Sequence, residues 1–194
     1  MGRKLTFCKE EALENTMRLF WRKGYEATSV RDIAAGLDVP IASVYHSFGD
    51  KKSIFIATID EYFEKFVKPN FEVLLAQDNA KQALLDLFAS LAEQCGNADI
   101  PAGCYLIQTA TDISDSIPEI AENAREKLEY IRLQLKALIE KARRSKQLTT
   151  KETSENLSQY LFATMLAVKT WSRTGVGTDS VKQYLHLALR PITT

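Results

Sequence analysis

Residues 28–55 read TSVRDIAAGLDVPIASVYHSFGDKKSIF, and the fold turns on how that run is parsed. Val30, Ile33, Ala34 and Leu37 fall at i, i+3, i+4 and i+7, the spacing of one buried helical face. Ser29 stands ahead of them as an N-cap, and Asp32, three residues on, suits the positive end of the helix. Asp38-Val39 interrupts the pattern, and Pro40, a residue favoured at the first helical position, opens a second short helix. Val44 and Phe48 share the inner side of that helix, and Ile41 falls nearer the inner side than the outer. Upstream, Leu13, Met17 and Phe20 stripe a bracing helix that Gly24 stops. Two short helices joined by a tight turn and braced by a third describe a helix-turn-helix, here at about 29–48.

Helical spacing continues outward. Asp50 looks like the cap of a fourth, longer helix carrying Ile54, Phe55, Ile59, Tyr62, Phe63 and Phe66, which should break or bend near Pro69. Leu84, Phe88, Leu91 and Cys95 mark a fifth helix, closed by the loop 96–101, and Cys104, Ile107 and Thr111 share a face of a short sixth. Leu128, Ile131, Leu135, Leu138 and Ala142 give a long amphipathic helix ending in the basic run 141–146. In the helix at 157–171 the stretch Tyr160 to Val168 is apolar on almost every side, as in a helix covered by protein all round. Val181, Tyr184, Leu185 and Ala188 stripe the last. With few Gly and Pro to break the chain, the expectation is an all-α fold of about nine helices. It divides into a helix-turn-helix domain at 6–66 and a helical ligand-binding and dimerisation domain at 67–194. No Gly/Ser linker separates them, so the fourth helix should join them rigidly.

The 25 basic and 25 acidic side chains balance, so bulk charge does not announce a nucleic-acid binder. Arg3, Lys4 and Lys9 do make the first nine residues purely basic, compatible with phosphate neutralisation from one end. Three cysteines make no disulfide framework. Neither a secretory signal nor a run of some eighteen apolar residues is visible, so a cytoplasmic protein with no membrane partner is expected.

The run 28–55 closely resembles the signature of the tetracycline-repressor (TetR) family. The matched elements are Thr28-Ser29, Arg31, Ile33-Ala34, Val39, Ser43, Tyr45-His46, Phe48 and Lys51, within a resemblance extending from near Cys8 to about Phe66. It implies a dimeric repressor of double-stranded operator DNA, released by a small-molecule effector. Ala42, Ser43 and His46 point away from the inner face and are the candidates to reach base edges, with Ile41 beside them. The resemblance makes Tyr45 and Lys51 phosphate contacts, Thr28 and Ser29 further ones, and Arg31 a guanine contact. Tyr45 as a core aromatic and His46 as a solvated surface residue remain open alternatives. Family members usually carry Gly where this chain has Asp38, a residue that tolerates the left-handed conformation. The tip Pro40, Ile41, Ala42, Ser43 is poor in hydrogen-bonding side chains, so methyl contacts, phosphate positioning and DNA shape should carry more of the recognition.

The same resemblance places a homodimer interface on the helices at about 153–173 and 178–189, although their apolar faces also suit an intrachain core. It places an effector cavity in the helical domain. Phe88, Leu91, Cys95, Cys104, Ile107, Tyr130, Leu133, Phe162, Met165 and Trp171 supply large apolar or thiol surfaces for a small, mostly apolar ligand, as they would for a plain core. Gly103-Cys104, opening a helix after a loop, resembles a subgroup responsive to electrophiles or oxidants, and a helix N-terminus favours the thiolate. Cys95 ends the preceding helix and could lie near Cys104 across the loop. No cofactor, metal site or catalytic set is expected: glycine-rich phosphate loops and metal-spaced His/Cys sets are missing, and Asp112 and Asp115 suit a solvated helix end. An enzyme, and a helical interaction protein without DNA function, are the competing readings.

Overall fold

A computed structural model of the chain describes residues 8–95, 97, 101–113 and 117–193. Arg3 and Lys4 of the basic arm, Asp115 and most of the loop 96–101 lie outside them. Among the described residues every regular element is helical: α1 (Lys9–Lys23), α2 (Val30–Gly36), α3 (Ile41–Phe48), α4 (Lys51–Tyr62), α5 (Lys68–Ala76), α6 (Ala80–Gln94), α7 (Tyr105–Asp112), α8 (Pro118–Arg144), α9 (Ser154–Ser172), α10 (Thr178–Ala188) and the single turn α11 (Arg190–Thr193). A π-helical turn, Phe63–Val67, joins α4 to α5 without interruption. The bend expected near Pro69 is therefore a widened turn in a continuous rod. Pro69 has no N–H to give the carbonyl four residues back, and its ring crowds that carbonyl; widening the preceding turn relieves both.

Caps fix the frame. Ser29 and Asp32 form a reciprocal capping box: Ser29 Oγ accepts from the Asp32 N–H at 3.1 Å, and Asp32 Oδ2 from the Ser29 N–H at 2.8 Å. The Ser29 hydroxyl, which donates to Asp32 Oδ2 at 2.5 Å, then the Ser29 N–H, then Lys23 at 3.6 Å hold the Asp32 carboxyl below its usual range. Asp50, Asn79 and Thr153 cap α4, α6 and α9 more simply, each side chain accepting from the backbone N–H three residues on. At the other end of the α2–α3 turn, Asp38 takes a φ of 53°. Its N–H bonds the Ala35 carbonyl at 3.3 Å and the Val39 N–H bonds the Ala34 carbonyl at 3.0 Å, a Schellman closure with aspartate in the glycine position. Pro40 is the N-cap of α3, one residue before the helical start expected for it.

α8, 27 residues long, is the centre of the C-terminal part, with α6, α7 and α9 against it. Lys141 reaches from it to the Leu75 and Gln77 carbonyls at 2.7 and 2.8 Å, closing the C-terminal end of α5. The two halves of the chain share a core. Phe20, Trp21 and Tyr25 from the N-terminal unit pack with Phe55 and Tyr62 of α4 and with Tyr105 of α7, ring centroids 4.7–6.1 Å apart. Lys52–Glu119 at 2.6 Å and Lys127–Asp60 at 2.7 Å tie α4 to α8 on the surface.

Candidate nucleic-acid interface and ligand cavity

α3 turns Val44 into the core and rests Phe48 against it. Its outer side carries Ile41, Ala42, Tyr45 and His46, with Ser43 half-buried at the edge. Tyr45 is 52% exposed, so the core alternative for it falls. Ile41, expected nearer the inner side, is 37% exposed and belongs to the outer face. Ser29 and Arg31 are exposed at the start of α2. Lys51 lies at the start of α4, its Nζ 4.2 Å from the Tyr25 ring centroid and 3.5 Å from the Glu26 carbonyl. Its backbone N–H belongs to the first turn, which has no intrahelical acceptor.

Thr28 corrects the expectation. It is fully buried, and its hydroxyl donates to the Gly24 carbonyl at 2.7 Å while its N–H bonds Tyr25. The side chain fastens α1 to α2 and has no face to offer a phosphate.

A cavity of about 390 Å³ opens between the C-terminal end of α4, the π turn, α5, α6, α7, α8 and α9. Of the ten ligand candidates that the sequence offers, Leu91, Cys104, Ile107 and Met165 line it. The other six do not. Phe88 is fully enclosed in the core one turn before Leu91. Cys95 donates to the Leu91 carbonyl at 3.3 Å, and burial pushes its thiol up. Tyr130 sits edge-on to Phe63 at 4.9 Å on another side of α8, and Leu133 is exposed. Phe162 packs on the core, and Trp171 faces Tyr184 of α10 at 6.1 Å. Asp112 is exposed and accepts from Thr111, as a solvated helix end does.

The remaining walls are Tyr62, Phe66, Val67, Asn70, Phe71, Val73, Leu74, Asp86, Leu87, Ser90, Gln94, Leu128, Ile131 and Lys169. Cys104 is the N-cap of α7, its sulfur 3.9 Å from the Tyr62 hydroxyl. Burial first, then the neighbouring Cys104, lifts Tyr62 well above the usual phenol range. Gly103, just ahead, has a φ of 96° and packs against the Arg173 side chain, where a Cβ would clash.

Two family models cover most of the chain: bacterial regulatory proteins of the tetR family over residues 12–58, and the tetracyclin repressor-like C-terminal domain over residues 80–184. The chain belongs to the TetR family. Among curated relatives it is similar to the HTH-type transcriptional repressor ComR of Escherichia coli, 33% identical over 125 residues, covering 64% of this chain and 60% of ComR. The chain thus spans about three fifths of that relative. Its fold matches the TetR regulator CifR, solved as a cysteine mutant with 26-bp operator DNA, at a TM-score of 0.80 and 22% identity over 97% of this chain and 98% of CifR. It also matches the reduced form of E. coli NemR, at 0.83 and 17% over 92% and 93%.

Of the cavity residues, Tyr62 was named only as part of a helical stripe, while Gln94 and Lys169 were readable as neighbours of named positions: Lys169 follows Met165 by one turn, and Gln94 follows Leu91 by three residues. Among the described residues no three His, Cys, Asp or Glu side chains converge to hold a metal. No described helix is long and apolar enough to cross a membrane.

Proposed function

We propose that this TetR-family chain is a dimeric, cytoplasmic repressor whose 6–66 domain binds double-stranded operator DNA and whose 67–194 domain releases it on binding a small effector. One observation carries the reading. The rod from Lys51 to Ala76 has its first turn at the DNA-facing side, while Tyr62, Phe66, Val67 and Asn70 of the same rod line the cavity. From Lys51 to Phe66 is about 22 Å along a helix. A ligand that displaces the π turn moves the DNA-facing end, because no flexible joint intervenes.

On DNA, α3 would enter the major groove with Ile41, Ala42, Ser43 and His46 toward base edges. Tyr45, Lys51 and Ser29 would position phosphates, and Arg31 would reach from the start of α2. The outer face offers few donors, so apolar contact with thymine methyls and DNA shape would contribute much of the selectivity. The dimer would form through α9 and α10, where Tyr160, Trp171 and Leu187 remain exposed. The Tyr160 hydroxyl donates to the Ala188 carbonyl at 2.8 Å, which locks the two helices into one surface. Pairing two readers one helical turn of DNA apart supplies the contacts that one reader lacks.

The test is a salt-dependent gel shift with DNA from upstream of the chain's own gene. Binding that weakens with salt, and weakens further in Tyr45→Ala and Lys51→Ala, is the expected result. A folded protein with no DNA affinity at low salt would overturn it. A second reading rests on Cys104, whose thiol lines the same cavity: alkylation there would fill the space a ligand fills. It expects DNA release by an electrophile in the parent chain and none in Cys104→Ser; release in both would exclude it.

A further inference from the structure

Lys169 stands in the last turn of α9, where a lysine ordinarily turns toward solvent and complements the helix dipole. Here it lines the cavity instead. Its Nζ donates to Gln94 Oε1 at 2.6 Å, and among the described residues it has no carboxylate partner. An ammonium only donates, so the Gln94 atom it touches is the carbonyl oxygen, and the amide NH₂ of Gln94 remains to be used. Two ammonium hydrogens remain as well. The cavity's carboxylate, Asp86, is on the same helix as Gln94 but eight residues earlier, about 12 Å along the axis. Asp86 is exposed and accepts from Gln82 at 2.8 Å. Most of the remaining walls are apolar, among them Leu87, Leu91, Ile107, Leu128, Ile131 and Met165, with Tyr62, Asn70, Ser90 and Cys104 the uncharged polar groups.

The geometry points to an amphipathic acid as the effector: a carboxylate head held by Lys169 Nζ and the Gln94 amide, with an apolar tail running along α6 toward the open side. This rests on reading the cavity as the effector site. Lys169 is half-buried, and an ammonium partly withdrawn from water without a counter-charge is costly; an anion in reach of it relieves that cost. Burial holds Lys169 below its ordinary value, with the Cys104 and Cys95 sulfurs opposing that shift. A neutral or cationic chain of the same length gains the same apolar contacts and leaves the ammonium unpaired, which is the basis for selection.

The experiment is calorimetric titration of the full-length protein with sodium decanoate, 1-decanol and decyltrimethylammonium, each below its micelle concentration. Decanoate is expected to bind about tenfold or more tighter than decanol, a difference of about 1.4 kcal/mol. Lys169→Gln should bring decanoate down to the level of decanol and leave decanol unchanged, which also reports an intact cavity. Lys169→Arg should keep most of the preference. Equal or stronger binding of decanol or the cation, a preference that survives Lys169→Gln, or no binding of any probe would each overturn the assignment. An operator shift on the untreated protein separates the two readings: DNA binding that persists while the acid preference fails overturns this inference alone, whereas its absence overturns the repressor reading.

Discussion

The hydroxyl oxygens of Thr58 and Tyr105 lie 2.8 Å apart in the interior, one on the rod that begins at Lys51 and the other in the first turn of α7. Thr58 gives its single proton to the Phe55 carbonyl at 2.7 Å, so Tyr105 is the donor between them. The two truncations are therefore unequal. Tyr105→Phe removes a donor and leaves the Thr58 hydroxyl satisfied, at a cost of about 1 kcal/mol. Thr58→Val strands a buried phenol and should cost more, about 2 kcal/mol. The double variant should be less destabilised than the sum of the two, as urea melts of all four proteins would reveal. Equal and additive losses would refute the assigned direction of the bond.

Lys51 and Tyr45 should differ in what they do to the salt dependence of DNA binding. Lys51→Ala removes one cation from the phosphate contacts and should flatten the plot of log affinity against log salt by about one unit. Tyr45→Phe removes a neutral hydroxyl, so affinity should fall with the slope unchanged. Gel shifts or anisotropy at four salt concentrations suffice. An unchanged slope in Lys51→Ala would place its ammonium, which rests on the Tyr25 ring, away from phosphate.

Much of this was legible in the sequence because caps and periodicity are local. Ser29, Asp50 and Gly24 end or begin helices where their side chains or backbones require, and the 51–76 rod counts as one helix in an expected nine when the turn at 190–193 is set aside. The cavity was half legible for the opposite reason. Periodicity reports that Phe88 and Leu91 both face inward, but not that Phe88 meets other side chains and Leu91 meets space. Lys169 escaped because a charged residue after an apolar run reads as a helix end. Thr28 was misread because its place before a cap fits a phosphate contact equally well as a bond to Gly24.

Asp38 offers a test of the turn. At a φ of 53° an L-residue other than Asn or Asp is strained, by about 1 kcal/mol or more. Asp38→Ala should lower stability by about that amount, while Asp38→Gly should be no worse than the parent, since glycine relieves the strain and loses only chain entropy. Thermal melts read this directly, and DNA affinity of the glycine variant should be retained. A stabilising Asp38→Ala would mean the α2–α3 turn takes another conformation.

Lys169→Met should separate stability from ligand choice. Lysine ordinarily titrates near 10.5, and burial lowers that value in the folded chain. Below the folded value both states carry the proton, and the penalty for burying the charge is complete. As pH rises through the folded value the native chain sheds its proton before the unfolded chain does, so stability climbs until the ordinary value is passed. Methionine keeps the length of the side chain without the charge, and Gln94 borders the cavity, so its carbonyl is not stranded by the change. The variant should therefore be more stable than the parent near neutral pH, by on the order of 1 kcal/mol, with the gap closing toward strongly alkaline pH. Urea melts across that range check it. A variant less stable at every pH would show that the Lys169–Gln94 bond outweighs the buried charge, and a gap independent of pH would show that the lysine is not destabilised at all. If the gap appears and decanoate loses its advantage over decanol in the same variant, the lysine is kept for what it binds and at the expense of the fold.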